Sequence, residues 1–399
     1  MIDTAPAARK YPSANHVRFG RFLAVTETVN QERALTRLLA GVEQPIHVET
    51  PDEQHREALL QDPAIDEAIS RFTSALHGRV SEAVVKSFEN QVYKVAVALH
   101  RYRLMDLSGF AGILVSTQHS PIIRALCVAA REQSVAVVYV PHAPAAINNA
   151  YLDLPVHYVG LRGAGERAYY ETELGVAPSD LRVVGNLSSD ILDAPSPAIE
   201  PTGPGVLALS PHSDKIMRRI FDAVGASGLG PMTIAPHPRS DIRQIRDFMP
   251  TDWSLFTGAR TLDLLLEGPA FVLQFSSGVA WESAALGIPT ATIRLDRSPV
   301  NYPFLADEQV YPSLFAPEDT RRFVSAARSE NIDRAALRKH AIQWCAVDGP
   351  EAMYRLFDLL DEVALTSDAG QLPYLHDGWS AGGAAISRSW LASTEVSPH

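Results

Sequence analysis

Apolar residues fall into short unbroken runs, separated by stretches in which they recur every three or four positions. FLAVT (Phe22 to Thr26), ILVS (Ile113 to Ser116) and VAVVYVP (Val135 to Pro141) lack polar alternation and are rich in β-branched residues. Such runs suit parallel strands buried on both faces. PIHVE (Pro45 to Glu49), PVHYV (Pro155 to Val159) and RVVGN (Arg182 to Asn186) add three candidate strands. Helical periodicity fills the gaps at Gln31 to Ala40, Pro121 to Gln133 and Glu166 to Leu174. The longest helix is expected from Ser81 to Met105, where Val85, Phe88, Val92, Val95, Leu99 and Tyr102 form one apolar seam that should cover a core. Thr50-Pro51-Asp52-Glu53 has the spacing of a capping box with proline at the first helical position.

The pattern breaks at DAPSPAIEPTGPG, Asp193 to Gly205, which is dense in proline and glycine and reads as a linker. It then starts again. VLALS (Val206 to Ser210), MTIAP (Met232 to Pro236), SLFT (Ser254 to Thr257), FVLQF (Phe271 to Phe275) and TATIRL (Thr290 to Leu295) alternate with helices at Asp214 to Val224, Asp241 to Phe248 and Leu262 to Glu267. Two α/β halves predict two doubly wound parallel-sheet domains facing across a cleft. The division is 1–195 and 196–345. A helix over 346–366, striped by Met353, Leu356, Phe357, Leu360 and Val363, should return to the first domain, and 367–399 forms a polar tail.

Composition sharpens this without changing it. At 399 residues, 46% hydrophobic and 20% charged, the chain suits two globular domains. A net charge of -11 with no basic run argues against a nucleic-acid partner. Cys127 and Cys345, far apart, predict neither a disulfide framework nor a metal knuckle and suit a reducing compartment. With no apolar leader-like run and no segment of about 18 apolar residues, the expected location is cytoplasmic, with peripheral membrane contact left open.

The candidate chemistry lies at strand ends. LQFSSGVAWESAALGIP, Leu273 to Pro289, stops an apolar run on two serines and a glycine before a small-residue helix. In open α/β sheets, ligands bind beyond the carboxyl ends of the strands. Four such ends carry polar groups: Ser210-Pro211-His212-Ser213, His237-Pro238-Arg239-Ser240, Gly258-Ala259-Arg260-Thr261 and Ser276-Ser277-Gly278. Converging on one edge, they would hold an oxyanion with hydroxyls, imidazoles, guanidinium groups and helix amides. Ser276 and Ser277 would cap the helix, and Gly278 would let backbone approach a phosphate. Glu282 would accept ribose hydroxyls. The plainer alternatives are ordinary capping serines and a solvated glutamate. His237 can bond a phosphate oxygen, with Pro238 fixing the turn and Arg239 adding a bidentate clamp. Gly163-Ala164-Gly165-Glu166-Arg167-Ala168 matches a dinucleotide fingerprint, but no acidic residue closes the following strand. There is no P-loop, HExxH or DxD-like pair, so no metal is expected.

The His237-Pro238 pair, the Ser276-Ser277 pair and the ESAALGIP run resemble the nucleotide-binding half of GT-B glycosyltransferases. They are similar to bacterial sialyl- and polysialyltransferases and to CDP-glycerol glycerophosphotransferases and capsule Kdo-transferases. VPHAPAAINNAYLDLPVHYVGLRGAGERAYYETELGVAPSDLRVVGNLSSD in the first half resembles the same superfamily. The resemblance spans most of Val135 to Leu295. It implies that His237 contacts a donor phosphate and that Ser276 and Ser277 hold the phosphate or nucleotide. The acidic-acidic-glycine catalytic motif of the sialyltransferases is missing. His142, at the end of VAVVYVP, is the substitute base by position and pKa, with Asp153 and His119 behind it.

The expected activity is transfer of a sugar from a nucleotide-activated donor to an acceptor hydroxyl, inverting and metal-independent, the nucleotide sugar being substrate rather than cofactor. The rivals are a non-hydrolysing UDP-sugar 2-epimerase-like isomerase, which would carry more acidic residues in the cleft, and a non-catalytic nucleotide-sugar-binding protein.

Overall fold

A computed structural model describes residues 21–28, 31–32, 34–35, 45–47, 63–147, 154–187, 191–192, 197–237, 239–258, 260–329 and 332–368. The capping-box spacing at Thr50 to Glu53, Asp153, Pro238, the start of the linker and the tail from 369 lie outside these residues.

The first sheet holds six parallel strands in the order β2-β1-β3-β4-β5-β6: β1 Phe22–Thr26, β2 Pro45–His47, β3 Gly112–Val115, β4 Val137–Tyr139, β5 Tyr158–Leu161 and β6 Leu181–Val183. The second is β12-β11-β10-β7-β8-β9: β7 Gly205–Ala208, β8 Met232–Ala235, β9 Ser254–Leu255, β10 Val272–Gln274, β11 Thr290–Ile293 and β12 Ser313–Leu314. Strands β3, β4, β5, β7, β10 and β11 are buried throughout, as runs without polar alternation require. Both sheets are doubly wound, so each has a point where the strand order reverses and the loops above it part. That point lies between β1 and β3 in the first sheet and between β7 and β10 in the second.

Two readings of the pattern shift. The run PVHYV predicts a strand from Pro155, whereas β5 starts at Tyr158. Here the His157 N–H donates to the Val137 carbonyl at 2.9 Å while His157 Nδ1 accepts the Val137 N–H at 2.8 Å, so a side chain stands in for one of the ladder bonds at the strand's start. The long helix is α2, Glu82–Leu104, preceded by α1, Pro63–Leu76. Only the C-terminal part of its seam reaches the core, with Val97, Ala98 and Tyr102 buried and Val95 and Leu99 packed against them. Phe88 is exposed and instead meets the Phe72 ring of α1, centroids 5.1 Å apart. At 1.5 Å per residue, α2 is about 34 Å long, so its first turns pair with α1 rather than with the sheet.

Helices α3 Pro121–Glu132 and α4 Ala164–Thr172 serve the first sheet, and α5 Asp214–Gly225, α6 Ile242–Phe248, α7 Thr261–Leu266, α8 Val279–Ala285 and α9 Pro317–Arg328 the second. Then α10, Arg334–Trp344, packs on α8, and α11, Gly349–Asp368, crosses back. Met353, Leu356, Phe357, Leu360 and Val363 of α11 are all buried in one cluster with Phe22, Leu114 and Val138 of the first sheet. Each such side chain contributes about 1.5–3 kcal/mol of burial, which ties the chain's end to its beginning.

The crossing explains three glycines. Gly185 has φ +104°, and a Cβ there would sit 2.4 Å from the Val347 carbonyl in the segment between α10 and α11. Asn186 N–H donates to that carbonyl at 2.8 Å, and Asn186 bridges to Asp348. A Cβ on Gly163 would lie 2.5 Å from the Trp344 carbonyl carbon, and one on Gly165 would lie 2.7 Å from the Trp344 ring. The GxGxxA run is therefore a packing seam between α4 and α10, not a phosphate loop.

Candidate functional site

The carboxyl edges of the two sheets enclose a cavity of about 400 Å³, within the usual range of small-molecule sites. From the second domain it is lined by Ser210, His212, His237, Arg239, Ser276, Ser277, Gly278 and Glu282, and from the first by His142. Thus the described candidates come together, with Pro238 outside the described residues. Arg260 does not join the lining. Strand β9 lies at the sheet's far edge, and Arg260 is ion-paired to Asp263 at 2.5 Å. His119 is exposed beside His142 and does not line the cavity.

The Ser276-Ser277-Gly278 turn sits where the second sheet reverses. Ser210 Oγ, beyond β7, donates to the Ser276 carbonyl beyond β10 at 2.8 Å, tying the two sides of the switch point together. Ser276 is one of two non-glycine residues with positive φ among those described, at +54°. Such a conformation costs about 1 kcal/mol and persists where surroundings impose it. Gln274, itself held by Thr292 at 2.7 Å, accepts the Ser277 N–H at 2.8 Å. Ser277 Oγ, one residue before the N-cap Gly278, accepts the Val279 N–H at 3.3 Å.

Two features of this turn bear on the expectations for it. Helix α8 is only seven residues long, and two of its entry amides are already taken, leaving the Gly278 N–H without an acceptor among the described residues. An anion placed there would therefore meet side chains more than helix amides. Gly278 is ordinary right-handed helical backbone, and a Cβ there would meet Pro144 of the first domain at 3.7 Å, a normal contact. Neither its conformation nor its packing within the protein requires glycine.

The histidines divide by tautomer. His142 Nδ1 lies 2.6 Å from the Ser116 carbonyl, which can only accept, so Nδ1 carries the proton and neutral His142 keeps a lone pair on Nε2. Burial, countered by that bond and aided by Arg162, holds its pKa below the ordinary 6.5. His237 is the reverse: its Nδ1 accepts the Arg239 N–H at 3.1 Å, so the neutral ring carries its proton on Nε2 as a donor. Burial and then Arg239 lower its pKa. His212 packs edge-on against Phe275, centroids 5.0 Å apart, with Nε2 sealed and unpartnered, and burial lowers its pKa. Glu282 is half-buried, and burial raises its pKa to about 7 against the pull of Arg162 and Arg260. Among the described residues no three His, Cys, Asp or Glu side chains are grouped as metal ligands.

The cavity also contains residues that the sequence reading missed: Arg162, Asn186, Trp281, Asn301 and Tyr302. Arg162 and Asn186 follow β5 and β6, so the strand-end rule applied to the first half as well would have found both. Asn301 and Tyr302 follow no strand end directly. The Asn301 carbonyl accepts the Ile147 N–H at 2.7 Å, closing the cleft between a loop of each domain.

No protein-family model matches the sequence, and no curated protein matches it. Solved structures do. The UDP-GlcNAc 2-epimerase of Methanocaldococcus jannaschii, in complex with UDP-GlcNAc and UDP, aligns over 86% of this chain and 99% of its own, with TM-score 0.53 and 13% identity. The Neisseria meningitidis UDP-GlcNAc 2-epimerase bound to UDP-GlcNAc covers 87% of this chain and 100% of its own, at 0.51 and 14%. The glycotransferase of kitacinnamycin covers 89% and 100%, at 0.50 and 11%. Identities this low speak for the fold: this chain has the GT-B architecture that nucleotide-sugar epimerases and glycosyltransferases share.

Proposed function

We propose that the protein is a nucleotide-sugar enzyme that transfers a glycosyl group to an acceptor hydroxyl. The observation carrying this reading is the opposed pair of imidazoles. His142, from the first domain, offers a lone pair on Nε2, and His237, from the second, offers an Nε2–H. The acceptor O–H proton passes to His142 Nε2 as the acceptor oxygen bonds to the anomeric carbon. The anomeric C–O bond to phosphate breaks on the opposite face, and its electron pair leaves on a phosphate oxygen held by His237, Arg239 and the Ser276 hydroxyl. Inversion follows from a single displacement. Leaving-group charge is met by side chains preorganised along the cleft, and no protein-held metal is invoked.

A second reading, UDP-sugar 2-epimerisation, is favoured by the fold shared with two such epimerases. It needs acid–base groups at the sugar ring, and Glu282 is the only carboxylate lining the cavity among the described residues. Incubation with UDP-GlcNAc alone, read by product sugar, separates the two: epimerisation without acceptor overturns the transferase reading. A thermal-shift screen of CMP, CDP, UDP, GDP and dTDP identifies the nucleotide, since at 100-fold excess over Kd a ligand specific to the folded state adds about 2.7 kcal/mol. With the matched donor, His237→Ala should lower kcat about 10²-fold and His142→Ala by about 10²–10⁴-fold. Parent-like turnover in either variant removes that residue from the mechanism.

A further inference from the structure

One cation lining the cleft, Arg162, takes no part in the displacement proposed there. Arg162 is 5% exposed. Its backbone is fixed from three sides: its N–H donates to Glu166 Oε2 at 2.9 Å, its carbonyl accepts the Ala346 N–H at 3.0 Å, and Gly163 beside it abuts Trp344. The Glu166 carboxylate also accepts the Ala145 N–H at 3.1 Å, so the same buried group anchors the loop that carries His142. The guanidinium itself is held differently. It lies 4.7 Å over the ring of Trp281 in the second domain, and the Trp281 indole is pinned by its N–H to the Ala341 carbonyl at 2.9 Å. The one side-chain hydrogen bond of Arg162 among the described residues is to the Cys345 thiol; it forms no ion pair there, and Nε is sealed from solvent without a partner.

A buried charge without an ion pair is costly, and a neutral thiol does not balance it, so proteins keep one where something else completes it. Stacking on an indole satisfies the guanidinium face and leaves its edge, which is where five N–H groups point. Both Arg162 and Trp281 line the cavity. The charge balance there also calls for an anion. Burial lowers the pKa of His142, His212 and His237 and raises that of Glu282 to about 7, while Arg162 and Arg239 bring two guanidinium groups to the cavity of a chain of net charge -11. The two arginines serve different neighbours: Arg239 acts on His237, whereas Arg162 acts on His142 and Glu282.

We infer that Arg162 is an oxyanion anchor, the first domain's own contribution to ligand binding, which takes a phosphate or carboxylate oxygen of the substrate on its guanidinium edge. The inference rests on the reading of the cleft as a nucleotide-sugar site. Stacked on Trp281, the arginine belongs to one domain while resting on the other, so an anion bound there engages both.

The test is calorimetric titration with inorganic pyrophosphate, glucose 1-phosphate and glucuronic acid 1-phosphate, using the parent, Arg162→Gln, Arg162→Lys and His237→Ala. If Arg162 takes phosphate, Arg162→Gln should weaken pyrophosphate at least tenfold and Arg162→Lys by less. If it takes a carboxylate, pyrophosphate is unchanged, and the parent's preference for glucuronic acid 1-phosphate over glucose 1-phosphate disappears in Arg162→Gln. Parent-like binding of all three probes by Arg162→Gln overturns the inference, while weakened pyrophosphate binding by His237→Ala in that same experiment leaves the functional reading intact. A parent that binds none of the probes overturns both. Should Arg162→Gln melt below the assay temperature, Arg162→Lys decides: a loss of several-fold for any probe supports the anchor, and parent-like affinity for all overturns it.

Discussion

At the residue scale, the site is built by fixing what each side chain can donate or accept. A carbonyl on Nδ1 leaves His142 a lone pair on Nε2, and an amide on Nδ1 leaves His237 an Nε2–H, although the two are the same residue type with pKa values lowered chiefly by burial. The strained serine is another such device. Ser276 at φ +54° is held by Ser210, and Ser276→Gly removes the steric cost of that conformation. The expected outcome is a variant as stable as the parent, or more stable by up to about 1 kcal/mol, that binds nucleotide more weakly because the hydroxyl is gone. A thermal melt with and without nucleotide reads both; equal affinity would show that the hydroxyl does not touch the ligand.

At the scale of elements, what matters is how strand ends and helices are brought edge to edge. The reversal between β7 and β10 opens the second domain's crevice, and the tight α4–α10 seam holds the first domain's strand ends over it. Gly165→Ala would drive a methyl to 2.7 Å from the Trp344 ring, and overpacking of this kind typically costs about 1–3 kcal/mol. Denaturant unfolding of this variant should show that loss, together with weakened ligand binding as the domains separate. By contrast, Gly278→Ala meets only open contact with Pro144 at 3.7 Å and should leave stability close to that of the parent. A drop in nucleotide affinity there would mean that the ligand itself comes close to the backbone.

At the scale of the whole molecule, Glu282 links protonation to stability. Its carboxyl, at the wall between the domains, titrates near pH 7 through burial, against the ordinary 4.5. Because the folded pKa lies above the unfolded one, the folded state holds the extra proton between these values. The contribution is complete below about pH 4.5 and is lost as pH rises through about 7. Melting temperature should therefore fall over that window in the parent and fall less in Glu282→Gln; parallel curves would show that burial does not control this carboxyl. How much of this was legible beforehand follows the range of the forces involved. Short β-branched runs, the apolar stripe of α11 and the glycine-proline break each report their own burial, so the two doubly wound sheets and the returning helix could be read from local pattern alone. The strand-end rule found His142, His237 and the serine turn because topology places any strand's carboxyl end at the crevice. Arg162 over Trp281, the opposite tautomers of the two histidines, the spent amides of α8 and the Gly163–Trp344 seam depend on contacts between segments more than a hundred residues apart, or on which atom faces which. No one-dimensional pattern encodes such contacts, because they exist only once both domains have packed.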